Sequence, residues 1–281
     1  MAFKFPEQSR FAILKRYRAE AITKNGGQTL VSFDGPWCLV APESTDWFPS
    51  QNLNRVIDLA TMRGSFEEQI QVLKGTYESA GVTRHFAYLD PCVDLIAVAT
   101  AMSKEEYRLG NSIAVLTRSL DDVQVTEGEF VIKTHSQKSM GDLRSVLTFG
   151  GSQPPMWLDS LTGTLSEEPN SVHIAYLGSK PVAVGAVTVH AGVAYLSNAL
   201  TIPEARGKGA QTALISSRLS YAKRIGCDLA FVETYSWASS YSNLMASGFA
   251  PMYQRLIYRF EADKTIRSTL KETIDGHPPP K

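Results

Sequence analysis

Between residues 193 and 225 an apolar run with strand character meets Pro203, a turn carrying Gly207 and Gly209 follows, and a helical pattern begins at once. Proline cannot donate to a strand ladder, and glycine permits a turn tighter than other residues allow. The first amides of a helix have no intrahelical partner and carry partial positive charge, so such a turn suits an anion such as a pyrophosphate. A plain strand-to-helix turn is the other reading of the same residues. No GxxxxGK(S/T) occurs, and Gly207-Lys208-Gly209 is not part of a GxGxxG with an acidic residue closing the next strand, which disfavours nucleoside triphosphate and dinucleotide chemistry.

Around this segment strands and helices alternate. Apolar residues at helical spacing (Phe11, Leu14, Tyr17, Ala21) predict a leading helix over 9–21, stopped by Asn25-Gly26-Gly27. Strands are expected at 37–41, 56–60, 85–89 and 112–117, with helices at 66–79 and 94–107. The run 119–129, SLDDVQVTEGE, has four acids and one large apolar residue, Leu120, and reads as a linker. Beyond it come a strand at 130–134, helices near 140–147 and 156–161, and a hairpin of 173–177 with 182–189 turning at Gly178-Ser179-Lys180-Pro181. Strands at 193–202 and 229–234, helices at 209–225 and 239–247, and a strand pair within 252–260 complete the pattern. The expected organisation is 1–123, 124–262 and a polar tail, 263–281. The run 56–89 echoes 200–233 as strand, Arg-Gly, helix, strand, which either duplication or chance recurrence explains.

Composition excludes several classes. Of 281 residues, 43% are hydrophobic and 20% charged, which places the chain among folded globular proteins. Lys plus Arg and Asp plus Glu are 28 each, so no overall field draws the chain to nucleic acid or an anionic membrane. Cys38, Cys92 and Cys227 are scattered and form no zinc spacing, and no stretch approaches the length of a membrane span, so a reducing, cytoplasmic setting is expected.

The segment 130–260 resembles the GNAT superfamily of acyl-CoA-dependent N-acetyltransferases. The loop motif Gln/Arg-x-x-Gly-x-Gly/Ala of that family is matched by Arg206-x-x-Gly209-x-Gln211, with Gln211 departing at the last position. The 178–181 turn, Leu214 and Leu219 in the helix, Gly226-Cys227-Asp228, and Ser239, Asn243 and Gly248-Phe249 continue the likeness. The first half resembles the degenerate partner of tandem members, with Ser65-Phe66 after Arg63-Gly64 where the second glycine belongs. The resemblance implies an α/β (α+β) protein of two GNAT-like halves, each a mixed, mostly antiparallel sheet flanked by helices. It implies acetyl-CoA as co-substrate, a small-molecule amine as acceptor, and no nucleic-acid or membrane partner. The residues it assigns to coenzyme A are Leu200, Thr201, Ile202, Arg206, Gly207, Lys208, Gly209, Ala210, Gln211, Thr212, Ser239 and Asn243. A coenzyme-A-binding regulatory or interaction protein without turnover is the alternative.

Two catalytic positions of the family differ here. The fourth strand has Tyr195, Ser197, Asn198 and Thr201 but no carboxylate, and Leu244 occupies the position four before Gly248 where a tyrosine acid is usual. Glu233 on the next strand is the candidate base, or else a structural carboxylate; Tyr241 is the candidate acid, or else a core aromatic. Asn198 interrupts an apolar strand face, as a cleft contact or as a satisfied strand-edge amide. Tyr235 and Trp237 either line the acceptor pocket or cap the core, and His173 and His190 are expected at the surface or in turns.

Overall fold

Helix formation in this chain follows from local signals that burial then reinforces. In Phe66–Ser79, Ser65 caps the first turn by accepting the Glu68 amide at 3.4 Å, Glu67 and Glu68 face the positive end of the dipole, and Ile70, Leu73 and Tyr77 form the buried stripe. The computed structural model describes residues 6–24, 29–32, 36–41, 54–59, 65–92, 94–123, 130–135, 140–149 and 155–262. Arg63-Gly64, residues 124–129 of the expected linker and the tail 263–281 lie outside them.

The first half contains α1 (Pro6–Lys24), β1 (Thr29–Ser32), β2 (Trp37–Val40), β3 (Arg55–Ile57), α2 (Phe66–Ser79), β4 (Arg84–Leu89), α3 (Leu95–Lys104) and β5 (Arg108–Ser119). The second contains β6 (Val131–His135), α4 (Met140–Leu147), α5 (Pro155–Ser166), β7 (Ser171–Leu177), β8 (Lys180–His190) and β9 (Val193–Thr201). After a 3₁₀ turn at Pro203–Ala205 come α6 (Ala210–Arg224), β10 (Leu229–Thr234), α7 (Ser239–Ala246) and β11 (Ala250–Glu261). Residues 250–261 form one long strand, so the expected pair within 252–260 is corrected; no turn residue interrupts it, and it pairs on both sides. Strand β1 is absent from the sequence reading, because its four residues between Asn25-Gly26-Gly27 and Asp34-Gly35-Pro36 are too few to show a period.

The eleven strands make one mixed sheet in the order β1-β2-β3-β4-β11-β5-β10-β9-β8-β7-β6. Each half contributes an antiparallel set that ends in a parallel pair bridged by a helix: β3 with β4 across α2, and β9 with β10 across α6. These are the two segments whose sequences echo each other. At the centre the halves exchange strands. β11 lies between β4 and β5, and β5 lies between β11 and β10, all antiparallel. Apolar clusters cover the sheet, one around Ile70, Leu73 and Tyr77, another around Ile174, Val184 and Leu214, and a third around Leu116, Leu196 and Leu219. Among the described residues no helix is long and apolar enough to cross a membrane.

Candidate active site

The site begins where β9 and β10 part. Their parallel pairing runs from Val193 opposite Leu229 to Leu196 opposite Val232 and stops, although β9 continues to Thr201 and β10 to Thr234. The cause lies on the other edge of β9. Ser197 pairs with Ala186 and Leu200 with Val184, so Asn198 and Ala199 together oppose Gly185. This bulge, with Asn198 at φ 50°, bends β9 away from β10. Beyond Leu196 the edge of β9 facing the gap has no strand partner among the described residues, which leaves its amides there available to bind something else.

The second component is the start of α6. The first i to i−4 bond runs from the Ala213 amide to the Gly209 carbonyl at 3.0 Å, so the amides of Ala210, Gln211 and Thr212 have no backbone partner, and no side chain caps them. Gly207 at φ 71° and Gly209 at φ 83° turn the chain into the helix, and a Cβ on Gly209 would project into open space. These amides open into a cleft of about 580 Å³. Its lining brings together ten residues singled out from sequence: Leu200, Thr201, Arg206, Gly207, Gly209, Ala210, Gln211, Thr212, Ser239 and Asn243. Ala199, Ala205 and Ser240 complete it. Two of the expected residues stand off this lining. Ile202 is buried in the apolar cluster with Val182 and Leu214, because its amide bonds Val182 and turns its side chain inward. Lys208 is exposed and stands off the lining.

A second cleft, of about 440 Å³, meets the first at Ala199, Gln211 and Ser240. Asn198, Tyr195, Glu233 and Tyr235 line it, together with Arg18 from α1, Arg55 from β3, Tyr88 from β4 and Arg218 from α6. Asn198 Nδ2 donates to Ser197 Oγ at 3.1 Å. Tyr235 stacks on the exposed Trp237 at 5.1 Å. At the junction the Thr234 and Ser240 hydroxyls share a hydrogen bond of 2.5 Å.

Glu233 is the one carboxylate among the described residues that line this cleft, and its oxygens are taken. Oε2 accepts from Lys15 Nζ at 2.7 Å and from the Tyr195 hydroxyl, while Oε1 accepts from Arg255, which also grips Asp90 through Nη2 at 2.8 Å. Burial, then the guanidiniums of Arg55, Arg255 and Arg18, push the Lys15 ammonium well below its ordinary pKa, with Asp90 opposing them. Tyr241 lines neither cleft. Partly buried, it packs against the apolar cluster that contains Leu244 and Phe249, because on α7 Ser240 and Leu244, four apart, take the face toward the gap. The candidate acid therefore stands off both clefts. His173 is corrected: it is fully buried, bonds Ser217 Oγ at 2.8 Å, and burial lowers its pKa to about 3. His190 stacks on Tyr17 at 4.4 Å.

Sequence reading missed Arg18, Arg55 and Arg218. Only Arg218 carried a signal, a charged residue on the apolar stripe Leu214, Ile215, Leu219, Ala222 of α6. Arg18 and Arg55 come to the cleft from the other half of the chain, and nothing local marks them.

No family model and no curated protein sequence matches the chain. Solved structures do. A GCN5-related N-acetyltransferase from Kribbella flavida superposes with a TM-score of 0.64 at 12% identity, covering 89% of this chain and 94% of that one. A tandem GNAT protein from the clavulanic acid biosynthesis pathway gives 0.59 at 13% identity, over 93% and 97%. A GCN5-related N-acetyltransferase from Sphaerobacter thermophilus gives 0.56 at 15%, over 82% and 81%. The fold is that of the GNAT superfamily. The likeness to a tandem GNAT protein runs over almost the whole of both chains.

Proposed function

We propose that the protein is an acetyl-CoA-dependent N-acyltransferase whose acceptor is the amine of a small molecule. One observation carries this reading: two clefts meet in the gap between β9 and β10, and one of them opens on three unpartnered helix-start amides. The amides of Ala210, Gln211 and Thr212, with the glycine turn before them, fit a pyrophosphate. Acetyl-CoA supplies an acyl group already activated as a thioester. The free edge of β9 beyond Leu196 offers amide donors to an oxygen on which negative charge develops. The second cleft positions the amine.

Because Glu233 already accepts three hydrogen bonds, it is poorly placed to take a further proton, and we assign it to holding the wall of the cleft. The amine then deprotonates to water, and the rate follows the amine's own pKa. The same saturation, with Tyr241 packed against the apolar cluster and off both clefts, favours the second reading, a coenzyme-A-binding protein without turnover.

Calorimetry with coenzyme A and thiol release from acetyl-CoA across an amine panel test the proposal. Saturable binding with acceptor-dependent release supports it. Binding without release selects the second reading, and no binding removes both.

A further inference from the structure

The second cleft holds three guanidinium groups that this chemistry does not use. Arg218 is 2% exposed, its Nε donates to the Leu214 carbonyl at 3.0 Å, and its terminal nitrogens have no hydrogen-bond partner among the described residues. Its place is fixed by Gly185: a Cβ there would stand 2.8 Å from the guanidinium carbon, so only glycine admits the group against the bulge. Arg55 is 8% exposed and lies over the Tyr88 ring at 5.7 Å, while Arg18 lies over Tyr195 at 4.9 Å. The Nε of each is buried and has no hydrogen-bond partner among the described residues. Burial lowers the Arg218 pKa only to about 10, which leaves it a cation at neutral pH.

Four arginines elsewhere have acids: Arg10 has Asp228, Arg16 has Asp58, Arg84 has Glu261 and Arg144 has Asp159; Arg118 and Arg206, on exposed or partly exposed ground, donate instead to the Ser247 and Thr201 carbonyls. The one described carboxylate of the cleft, Glu233, is committed to Lys15 and Arg255, and Asp90, which lies outside the cleft, is committed to Arg255. A buried cation without a counter-charge destabilises a fold, so a concentration of them in one cavity points to a counter-charge brought by a ligand.

We propose that the acceptor amine carries an anionic group, a carboxylate or a phosphate, which seats against the guanidiniums of Arg218, Arg55 and Arg18. The inference rests on the acyltransferase reading and names its substrate class. Planar guanidiniums match both anions through paired N–H donors, and a cavity of about 440 Å³ suits a small molecule.

The test uses the full chain and calorimetry without acetyl-CoA. The probes are the standard amino acids with their carboxamides, and aminoalkyl phosphates with the corresponding amino alcohols, so that each anion has a neutral partner. Binders are expected on the anionic side alone, at least tenfold tighter than their neutral partners, and the preferred series distinguishes carboxylate from phosphate. Arg218→Gln should lose at least tenfold and Arg218→Lys should recover part of it, with coenzyme A affinity within twofold of the parent in both. If Arg218→Gln does not fold, Arg18→Gln, from the half-buried helix wall, should show the same loss of preference.

Neutral partners that bind as well as the anions, a variant that keeps the full preference, or a panel with no binder would each overturn the inference. Coenzyme A binding is measured separately, so the two readings fail separately. A chain that binds coenzyme A but does not prefer anions loses only the substrate class, and one that prefers anions but does not bind coenzyme A loses only the acyltransferase reading.

Discussion

Asn198 holds a left-handed backbone, φ 50°, at the bulge that opens the gap, and short polar side chains tolerate that conformation better than branched ones. Asn198→Val should therefore cost about 1–3 kcal/mol in thermal denaturation. Asn198→Gly should leave both fold and turnover within about threefold, because the residue's contribution is a backbone shape. A loss near the ~10²-fold of a general acid or base would instead assign the work to its amide side chain. Gly209, at φ 83°, is the other position where the backbone itself decides. Gly209→Asp should weaken coenzyme A binding at least tenfold, about 1.4 kcal/mol. Gly209→Ala carries the same strain without the charge, so the difference between the two in calorimetry isolates the anion term. Lys208→Ala should have the smallest effect, since its side chain is exposed and its amide remains.

At the scale of elements, Glu233 ties α1, β9, β10 and β11 together through Lys15, Tyr195 and Arg255, and Arg255 extends the tie to Asp90 after β4. Removing one member of a buried ionic network leaves the others uncompensated. Glu233→Gln should lower stability by about 3 kcal/mol or more. In a chain of this size that is a melting shift of roughly 6–12 °C. Full stability with a ~10²-fold lower kcat would reverse the assignment and make Glu233 the base.

The whole molecule is one sheet because each half lends a strand to the other. Fragments 1–123 and 124–262, made separately, should lack a cooperative melting transition, since β4 and β5 then lose β11 between them and β10 loses β5. Co-expression should restore one transition. Acid should destabilise the whole in a defined window. His85, bonded to the Tyr107 hydroxyl at 2.6 Å, and His173 are buried neutral, and burial lowers each pKa from 6.5 to about 3. Between those values the unfolded chain binds protons that the folded chain refuses, so stability falls as pH drops below 6.5. At pH 5 each histidine accounts for about 2 kcal/mol of that fall. Denaturant midpoints at pH 7.5 and pH 5 check it, and His173→Gln should remove about 2 kcal/mol of the difference and leave the share of His85.

Local chemistry alone determined much of this protein: the helices, whose apolar spacing and caps act within a few residues, the hairpin of β7 and β8, and the glycine turn into α6 that brings ten of the twelve expected residues to one cleft. The two exceptions, Ile202 and Lys208, differ only in which way a side chain turns, and that is settled by packing. Only the tertiary structure decided the rest. The exchange of β5 and β11 pairs residues far apart in sequence, and no local pattern names a strand's neighbour. Glu233 reads from sequence as a base or as a structural carboxylate, and Lys15, which α1 brings to it across 218 residues of chain, is a partner that no local pattern names. Arg18, Arg55 and Arg218 meet for the same reason: charge in a cavity is a sum over elements that the sheet brings together, and sequence order does not contain that sum.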